Sequence, residues 1–119
     1  MLERLESPPT VLAFRAVGKI EKRDYETELQ PAVDEMMNDR GELRLVYVLG
    51  DEFEGYSFSA GWEDAKLGFS HLTKWKRCAV VTDHDWVRHS VGMFRWMMPG
   101  ELKVFGVTEL DDAVAWAAA

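Results

Sequence analysis

The sequence lacks the features that mark several classes of protein. Its one cysteine, Cys78, excludes an internal disulfide and a zinc site built from cysteines. No uninterrupted apolar run approaches the roughly 20 residues that a membrane-spanning helix needs. The first residues contain no apolar segment of the kind that a secretory signal carries. These absences predict a protein of a reducing compartment, and we expect it in the cytoplasm.

The composition is that of an ordinary globular domain. Apolar residues make up 47% of the chain and charged residues 29%, which is close to the average for folded domains and excludes a disordered or fibrous chain. A length of 119 residues suits one hydrophobic core. We therefore predict a single domain over residues 1–119.

The charge is unevenly distributed along the chain. The net charge is −7. Residues 1–65 carry 7 Lys/Arg against 15 Asp/Glu, whereas residues 66–104 carry 7 against 3. The acidic total argues against nucleic acid as a partner, because phosphates require clustered cations. The basic segment contains all three His and three of the five Trp, so it is either a local basic surface or ordinary surface variation.

Alternation of strand-like and helix-like patterns gives the fold class. The predicted order is β-β-α-β-α-β-α-β-α, and strands that alternate with helices of this length imply an α/β fold. We expect a mostly parallel four- to five-stranded sheet with about four helices on its faces. The first two strands are joined too closely for a crossover, so the first strand should be antiparallel.

Two segments predict particular elements of this fold. Residues 43–49 are nearly all apolar, which predicts a central strand covered on both faces. A helix from Lys22 should bury one stripe, and Pro31 inside it should kink the helix or displace a carbonyl near Thr27. The stripe consists of Tyr25, Leu29, Val33 and Met36.

The second half of the chain is predicted to contain more helices and loops. Helices are expected at 59–72, 86–98 and 109–118, and residues 51–56 are expected to form a polar loop. A short strand is predicted at 78–81. The basic stretch before it surrounds Trp75, and it is either a solvated loop or a contact with anionic lipid headgroups.

Four stretches of the sequence resemble the SpoIIAA-like family, within the STAS-like folds. They are 19–49 with Asp24-Tyr25-Glu26 and Pro31-Ala32, 50–55, 79–83 leading to Trp86, and 110–116. The resemblance covers essentially the whole chain. It implies a four- or five-stranded sheet with four helices and no established enzymatic activity. Binding of an apolar ligand and association with membranes have been proposed for relatives of this type.

The predicted helix at 86–98 carries the strongest functional signal. Its apolar residues span an arc of about 160°, wider than a helix packed on a sheet usually needs. Trp96 lies on the opposite, basic side near His89 and Arg95. One interpretation is a helix that touches a membrane interface or an apolar ligand. The other is that the apolar arc is core and that Trp96 covers a neighbouring helix.

The helix at 59–72 supports a shared site, because Trp62 and Phe69 lie on one side of it and could pack against the helix at 86–98. The hypothesis is a non-enzymatic module that binds an apolar small molecule or lipid, or docks peripherally at the inner membrane surface. A homodimer is compatible with such a surface. The predicted ligand-binding residues are Trp62, Phe69, Trp86, Met93, Phe94, Trp96 and Met97.

The resemblance also implies an alternative function. STAS domains proper carry a phospho-acceptor in an Asp-Ser-Ser-Gly-like turn after the third strand. That motif is absent here, and the corresponding stretch offers Ser57 and Ser59 instead. These serines are either helix caps or phospho-acceptors. The alternative is a regulatory domain, like an anti-sigma-factor antagonist, that meets a protein partner through the 51–59 loop.

Enzymatic motifs are absent from the sequence. His84 stands between Asp83 and Asp85, but adjacent residues cannot all point at one atom, so the two aspartates are read as turn and cap residues. There is no His-Glu-x-x-His, no glycine-rich phosphate loop and no Gly-x-Ser-x-Gly elbow. We therefore predict no enzymatic activity, no catalytic or metal-ligating residues and no cofactor.

Overall fold

A five-stranded sheet forms the centre of the computed structural model, which describes residues 1–57, 74–94 and 100–119, with the backbone alone at 56, 93 and 94. The sheet order is β1-β2-β4-β6-β7, with β1 antiparallel to β2 and the other neighbours parallel. The predicted fold class is confirmed. In chain order the strands are β1 (Leu2–Arg4), β2 (Leu12–Ala16), β3 (Gly18–Ile20), β4 (Leu43–Leu49), β5 (Phe53–Tyr56), β6 (Trp75–Thr82) and β7 (Glu101–Phe105).

Strands β3 and β5 form a second, two-stranded parallel sheet that the sequence analysis missed. Residues 51–56 were predicted to be a polar loop, and that prediction is wrong for 53–56, which form β5. Gly18 takes a positive φ of 69° and redirects the chain from β2 into β3, a conformation that glycine adopts without strain. Phe53 is buried, whereas Glu52 and Glu54 are exposed. Because Phe53 stands between acidic residues, this stretch has the composition of a loop.

Residues 22–40 form one helical segment, α1, in three parts: Lys22–Asp24, a π-helical stretch Tyr25–Leu29, and Gln30–Arg40. Pro31 directly follows the start of the third part, and the wider π turn before it accommodates the missing N–H. This change of helix type is the departure that Pro31 predicted. The helix ends at Gly41, whose φ is 72°. The predicted stripe of Tyr25, Leu29, Val33 and Met36 is buried.

Helices cover both faces of the five-stranded sheet. Helix α2 (Asp85–Phe94) and α1 share one apolar core with the sheet, through residues such as Val87 and Tyr47. Helix α3 (Leu110–Ala118) packs on the other face, where Ala113 and Ala117 meet the sheet. The predicted helix at 59–72 lies outside the described residues, as does the 95–98 part of the helix predicted at 86–98.

Strand β4 lies in the middle of the sheet between β2 and β6. Its side chains alternate between the two cores, with Tyr47 on the α1 side and Val46 and Val48 on the α3 side. Val46 and Val48 are 0% and 5% exposed, so the central strand predicted at 43–49 is confirmed.

Truncation of these two valines tests the energetic role of β4. We expect Val46→Ala and Val48→Ala each to lower the free energy of unfolding by roughly 1–3 kcal/mol, because each leaves a small cavity in a closed core. Denaturation midpoints measure the effect. Val17→Ala is the control, because Val17 is only half-buried, and it should lower the free energy of unfolding by less. Wild-type midpoints for both β4 variants would contradict the assigned core.

Strand β6 begins at Trp75, three residues before the strand predicted from the sequence. Trp75 is 7% exposed and is paired with Leu43 of β4. Arg77 forms an ion pair with Glu101 and lies over the Trp116 ring. The interpretation of the stretch around Trp75 as a solvated loop is therefore wrong, because the strand buries its aromatic residue and pairs one of its cations. Contact of this stretch with anionic lipid headgroups stays a prediction, and the Lys74 and Lys76 side chains are exposed.

Candidate functional site

The candidate site lies at the edge where the parallel strands β4, β6 and β7 end. Gly50, Asp83 and Gly106 are the first residues after these three strands. Open α/β sheets bind ligands outside the carboxyl ends of their strands. The contacts described below join six side chains at this edge, which we name the carboxyl-edge cluster: Phe53, Thr82, Asp83, His84, Trp86 and Arg88.

Trp86 is the exposed aromatic residue of the carboxyl-edge cluster. Its indole stacks on the Phe53 ring, with centroids 5.8 Å apart and planes 26° apart. Phe53 is 5% exposed, whereas Trp86 is 54% exposed. The sequence analysis placed Trp86 on the apolar arc of its helix. The structure separates it from Val87 and Val91, which pack against the core, and turns it outwards onto β5.

His84 links the ends of β4 and β6. Its Nε2 donates to the carbonyl oxygen of Gly50 at 2.9 Å, and its ring lies edge-on to Phe53 at 6.0 Å. The buried hydroxyl of Thr82 donates to the Leu49 carbonyl and accepts the backbone N–H of His84. The imidazole therefore positions the residues beneath Trp86.

The charged side chains of the carboxyl-edge cluster are engaged with the protein itself. Arg88 Nε donates to the Thr82 carbonyl at 3.0 Å, and Arg88 Nη2 lies 3.9 Å from Asp83 Oδ1. Asp83 Oδ1 also accepts the backbone N–H of Val107 at 3.2 Å. These contacts fit the turn role predicted for Asp83. Among the described residues of this edge, the indole of Trp86 is then the large apolar group that is exposed.

The described ranges contain neither a cluster of metal ligands nor a membrane-spanning helix. Within 1–57, 74–94 and 100–119, no group of three or more His, Cys, Asp or Glu side chains is arranged to hold a metal ion. In the same ranges, no helix has both the length and the apolar character needed to cross a membrane.

Of the two predicted serines, Ser57 directly follows the end of β5. The backbone N–H of Ser57 donates to the carbonyl of Ile20 at 2.8 Å, which continues the pairing of β3 with β5. Its side chain is half-buried. Ser59 lies outside the described residues. The choice between helix cap and phospho-acceptor is untested for both serines.

The structure places one of the predicted ligand-binding side chains, that of Trp86. Met93 and Phe94 lie on α2, where the backbone alone is described. The remaining predicted residues, Trp62, Phe69, Trp96 and Met97, lie outside the described residues. Phe53 was missed by the sequence analysis. Its signal was a single aromatic residue between acidic neighbours, which is the alternation of a half-buried strand.

An open groove of about 350 Å³ lies near the opposite edge of the sheet, between β1, β2 and the end of α1. Its floor is apolar, with Leu12, Ala32 and Met36. Its rim carries two arginines and two acidic residues, so the charges balance and favour neither an anion nor a cation. The rim residues are Arg4, Glu35, Asp39 and Arg40.

Comparison with known proteins shows that both the sequence and the fold are similar to those of one protein family. The SpoIIAA-like family model matches residues 11–118. The crystal structure of an uncharacterised protein of the DUF3478 family from Shewanella loihica PV-4, described as having a SpoIIAA-like fold, superposes with a TM-score of 0.77. That protein is 30% identical, and the match covers 98% of this chain and 92% of the other. Comparison with curated proteins gives no significant match.

Proposed function

This chain belongs to the SpoIIAA-like family, and we propose that it is a non-enzymatic binding module for an apolar or lipid-like ligand. The family fold supports a binding or regulatory domain. Beyond this, we propose that the ligand is apolar and that Trp86 lies at the entrance of the site that binds it.

The observation that carries the proposal is the exposed indole of Trp86 on a fixed support. Single exposed aromatic residues are common, and most need no explanation. Trp86 differs because one face of its ring stacks on the buried Phe53, and His84 packs against Phe53 in turn. An aromatic ring supported from below can bind apolar ligand surface with less loss of side-chain entropy than an unsupported ring.

The proposed site extends from Trp86 along α2. Met93 and Phe94 follow it on the same helix, and Met side chains adapt to ligands of varied shape. Trp62, Phe69, Trp96 and Met97 complete the proposed lining. Docking at the inner membrane surface is part of the same proposal, because indole rings suit the interface. The net charge of −7 opposes an anionic surface, so this docking should be weak and salt-sensitive.

Tryptophan emission tests this site. We expect vesicles that contain an anionic lipid, or a free fatty acid, to shift the emission to the blue, because the indole leaves water. Trp86→Ala should remove much of the shift and Trp96→Ala should diminish it, both with little loss of stability. Trp116→Phe is the control, since Trp116 packs against Phe105 on the α3 face. Unchanged emission and an unchanged thermal midpoint with both probes would contradict the proposal.

A STAS-type regulatory domain is the second candidate. The observation in its favour is that the 51–57 segment contains an ordered strand, β5, which leads directly to Ser57. The exposed carboxylates of Asp51, Glu52 and Glu54 oppose it, because they would repel a phosphate on a nearby serine. Native mass spectrometry separates the candidates: a co-purified acyl chain favours the binding module, and a phosphate on Ser57 or Ser59 favours the regulatory domain.

A further inference from the structure

Strand β7 is at one end of the five-stranded sheet. In the part of the chain that the structure describes, its hydrogen-bonded neighbour is β6, on one side. Such an edge carries backbone N–H and C=O groups that can pair with another strand. The Glu101 and Lys103 side chains are exposed, and Leu102 and Val104 are half-buried. We propose that β7 pairs antiparallel with β7 of a second copy of this chain, about a two-fold axis at Leu102.

The register follows from symmetry and charge. When the two-fold axis is perpendicular to the sheet, both copies have the same face of the sheet on the same side. Side chains that lie opposite one another across the interface must therefore belong to the same face of the sheet. The axis can therefore pass through any residue of β7, from Glu101 to Phe105, but not between two residues. An axis at Glu101 or Lys103 places two like charges directly opposite, which is destabilising. An axis at Val104 or Phe105 gives Glu101 and Lys103 no oppositely charged partner on β7.

An axis at Leu102 gives complementary pairs. Glu101 then faces Lys103 of the second copy, and the symmetry makes this pair twice. Leu102 lies on the other face of the sheet, where it packs against the core shared by α1 and α2. On that face it lies opposite Leu102 of the second copy. Opposite charges and apolar pairs each stabilise adjacent antiparallel strands. Charge complementarity thus selects one register and one occupant of this edge.

The charged side chains are already ordered in the single chain. Arg77 Nε lies 2.6 Å from Glu101 Oε2, and Lys103 Nζ lies 5.1 Å from the centroid of the Phe105 ring. Both contacts are on the α3 face of the sheet, and both restrict the side chains before association. Pre-ordering lowers the entropy that is lost when an interface forms.

Cross-linking tests the register. Directly opposed residues of antiparallel strands have Cα atoms about 4.5–5.5 Å apart, which a disulfide can span. In a Cys78→Ala background, Leu102→Cys should form a disulfide-linked dimer on mild oxidation. Val104→Cys is the matched control on the same strand and face, because the Cα atoms of residue 104 in the two copies would be about 13 Å apart along the strands. We expect dimer formation at least about tenfold faster for Leu102→Cys.

Charge reversal tests the same interface without new cysteines. Glu101→Lys and Lys103→Glu should each weaken dimerisation about tenfold in sedimentation equilibrium, and the double reversal should restore it. Thermal midpoints show whether each variant is folded. A monomeric wild-type protein at about 100 µM would overturn the proposal. Equal cross-linking at 102 and 104, or faster cross-linking of Lys103→Cys, would overturn the register. None of these outcomes depends on the binding site at Trp86.

Discussion

Replacing Gly100 by alanine should lower the free energy of unfolding by about 3 kcal/mol or more, because the added methyl group has no space. A Cβ atom built at Gly100 would lie 2.8 Å from the carbonyl carbon of Trp75, nearer still to its oxygen, and 2.9 Å from the carbonyl oxygen of Lys76. These are backbone atoms of β6, and they cannot rotate away as a side chain can. The start of β7 would have to move off the sheet.

The matched control for this prediction is Gly92→Ala in α2. A Cβ atom at Gly92 has no neighbour within 4 Å, and the residue is exposed. Alanine there should raise stability by up to about 1 kcal/mol, because glycine is a poor helix former. Denaturant midpoints of both variants measure the contrast. A wild-type midpoint for Gly100→Ala would show that β7 does not approach β6 this closely.

Removing the guanidinium groups of Arg44 and Arg77 together should cost about 4 kcal/mol, since each anchors the end of α3 to the sheet. Arg44 Nη1 donates to the carbonyl oxygens of Ala117 and Ala119, at 2.7 and 2.8 Å. Arg77 Nη1 donates to the Trp116 carbonyl at 2.7 Å. The last carbonyls of a helix have no partners within it, and cations at this end also offset the helix dipole.

Methionine is the replacement of choice in this experiment, because it keeps much of the aliphatic stem of the side chain and removes the donors. We expect the Arg44→Met/Arg77→Met variant to lose helical circular dichroism at lower denaturant concentration than the wild type. Arg15→Met is the control: Arg15 is also a half-buried strand residue, and its ion pair with Glu3, at 3.6 Å, is on the surface. Such pairs contribute about 0–1 kcal/mol. Equal losses in the two variants would contradict the anchoring role.

The carboxyl-edge cluster could be predicted in part. The sequence pointed to Trp86 as a functional residue, and the structure places its exposed indole at the edge where the parallel strands end. Its role in binding stays a prediction. Helical periodicity alone predicts that Trp86 belongs to the apolar arc of the helix at 86–98, whereas in the structure its indole is turned away from the core. Its support by Phe53 was not predictable, because the two residues are far apart in the chain and no local period connects them.

By itself, the sequence determined the elements whose burial repeats with a regular period. The apolar run of β4 and the Tyr25 stripe of α1 each predict which side chains face the core. Pro31 indicates where the helix departs from regular α geometry. Alternation of these elements then restricts the topology to a mostly parallel sheet with an antiparallel first strand.

Tertiary structure alone decided the features that rest on one contact between distant residues. The β3–β5 pair exists because Gly18 turns the chain towards a segment in which Phe53 is buried between exposed acidic residues. Arg77, which the sequence grouped with a basic loop, instead anchors α3 through the Trp116 carbonyl. The physical reason is the same in both cases. Burial patterns repeat locally and can be read along the chain, whereas a single hydrogen bond or ring contact depends on which segments the fold brings together.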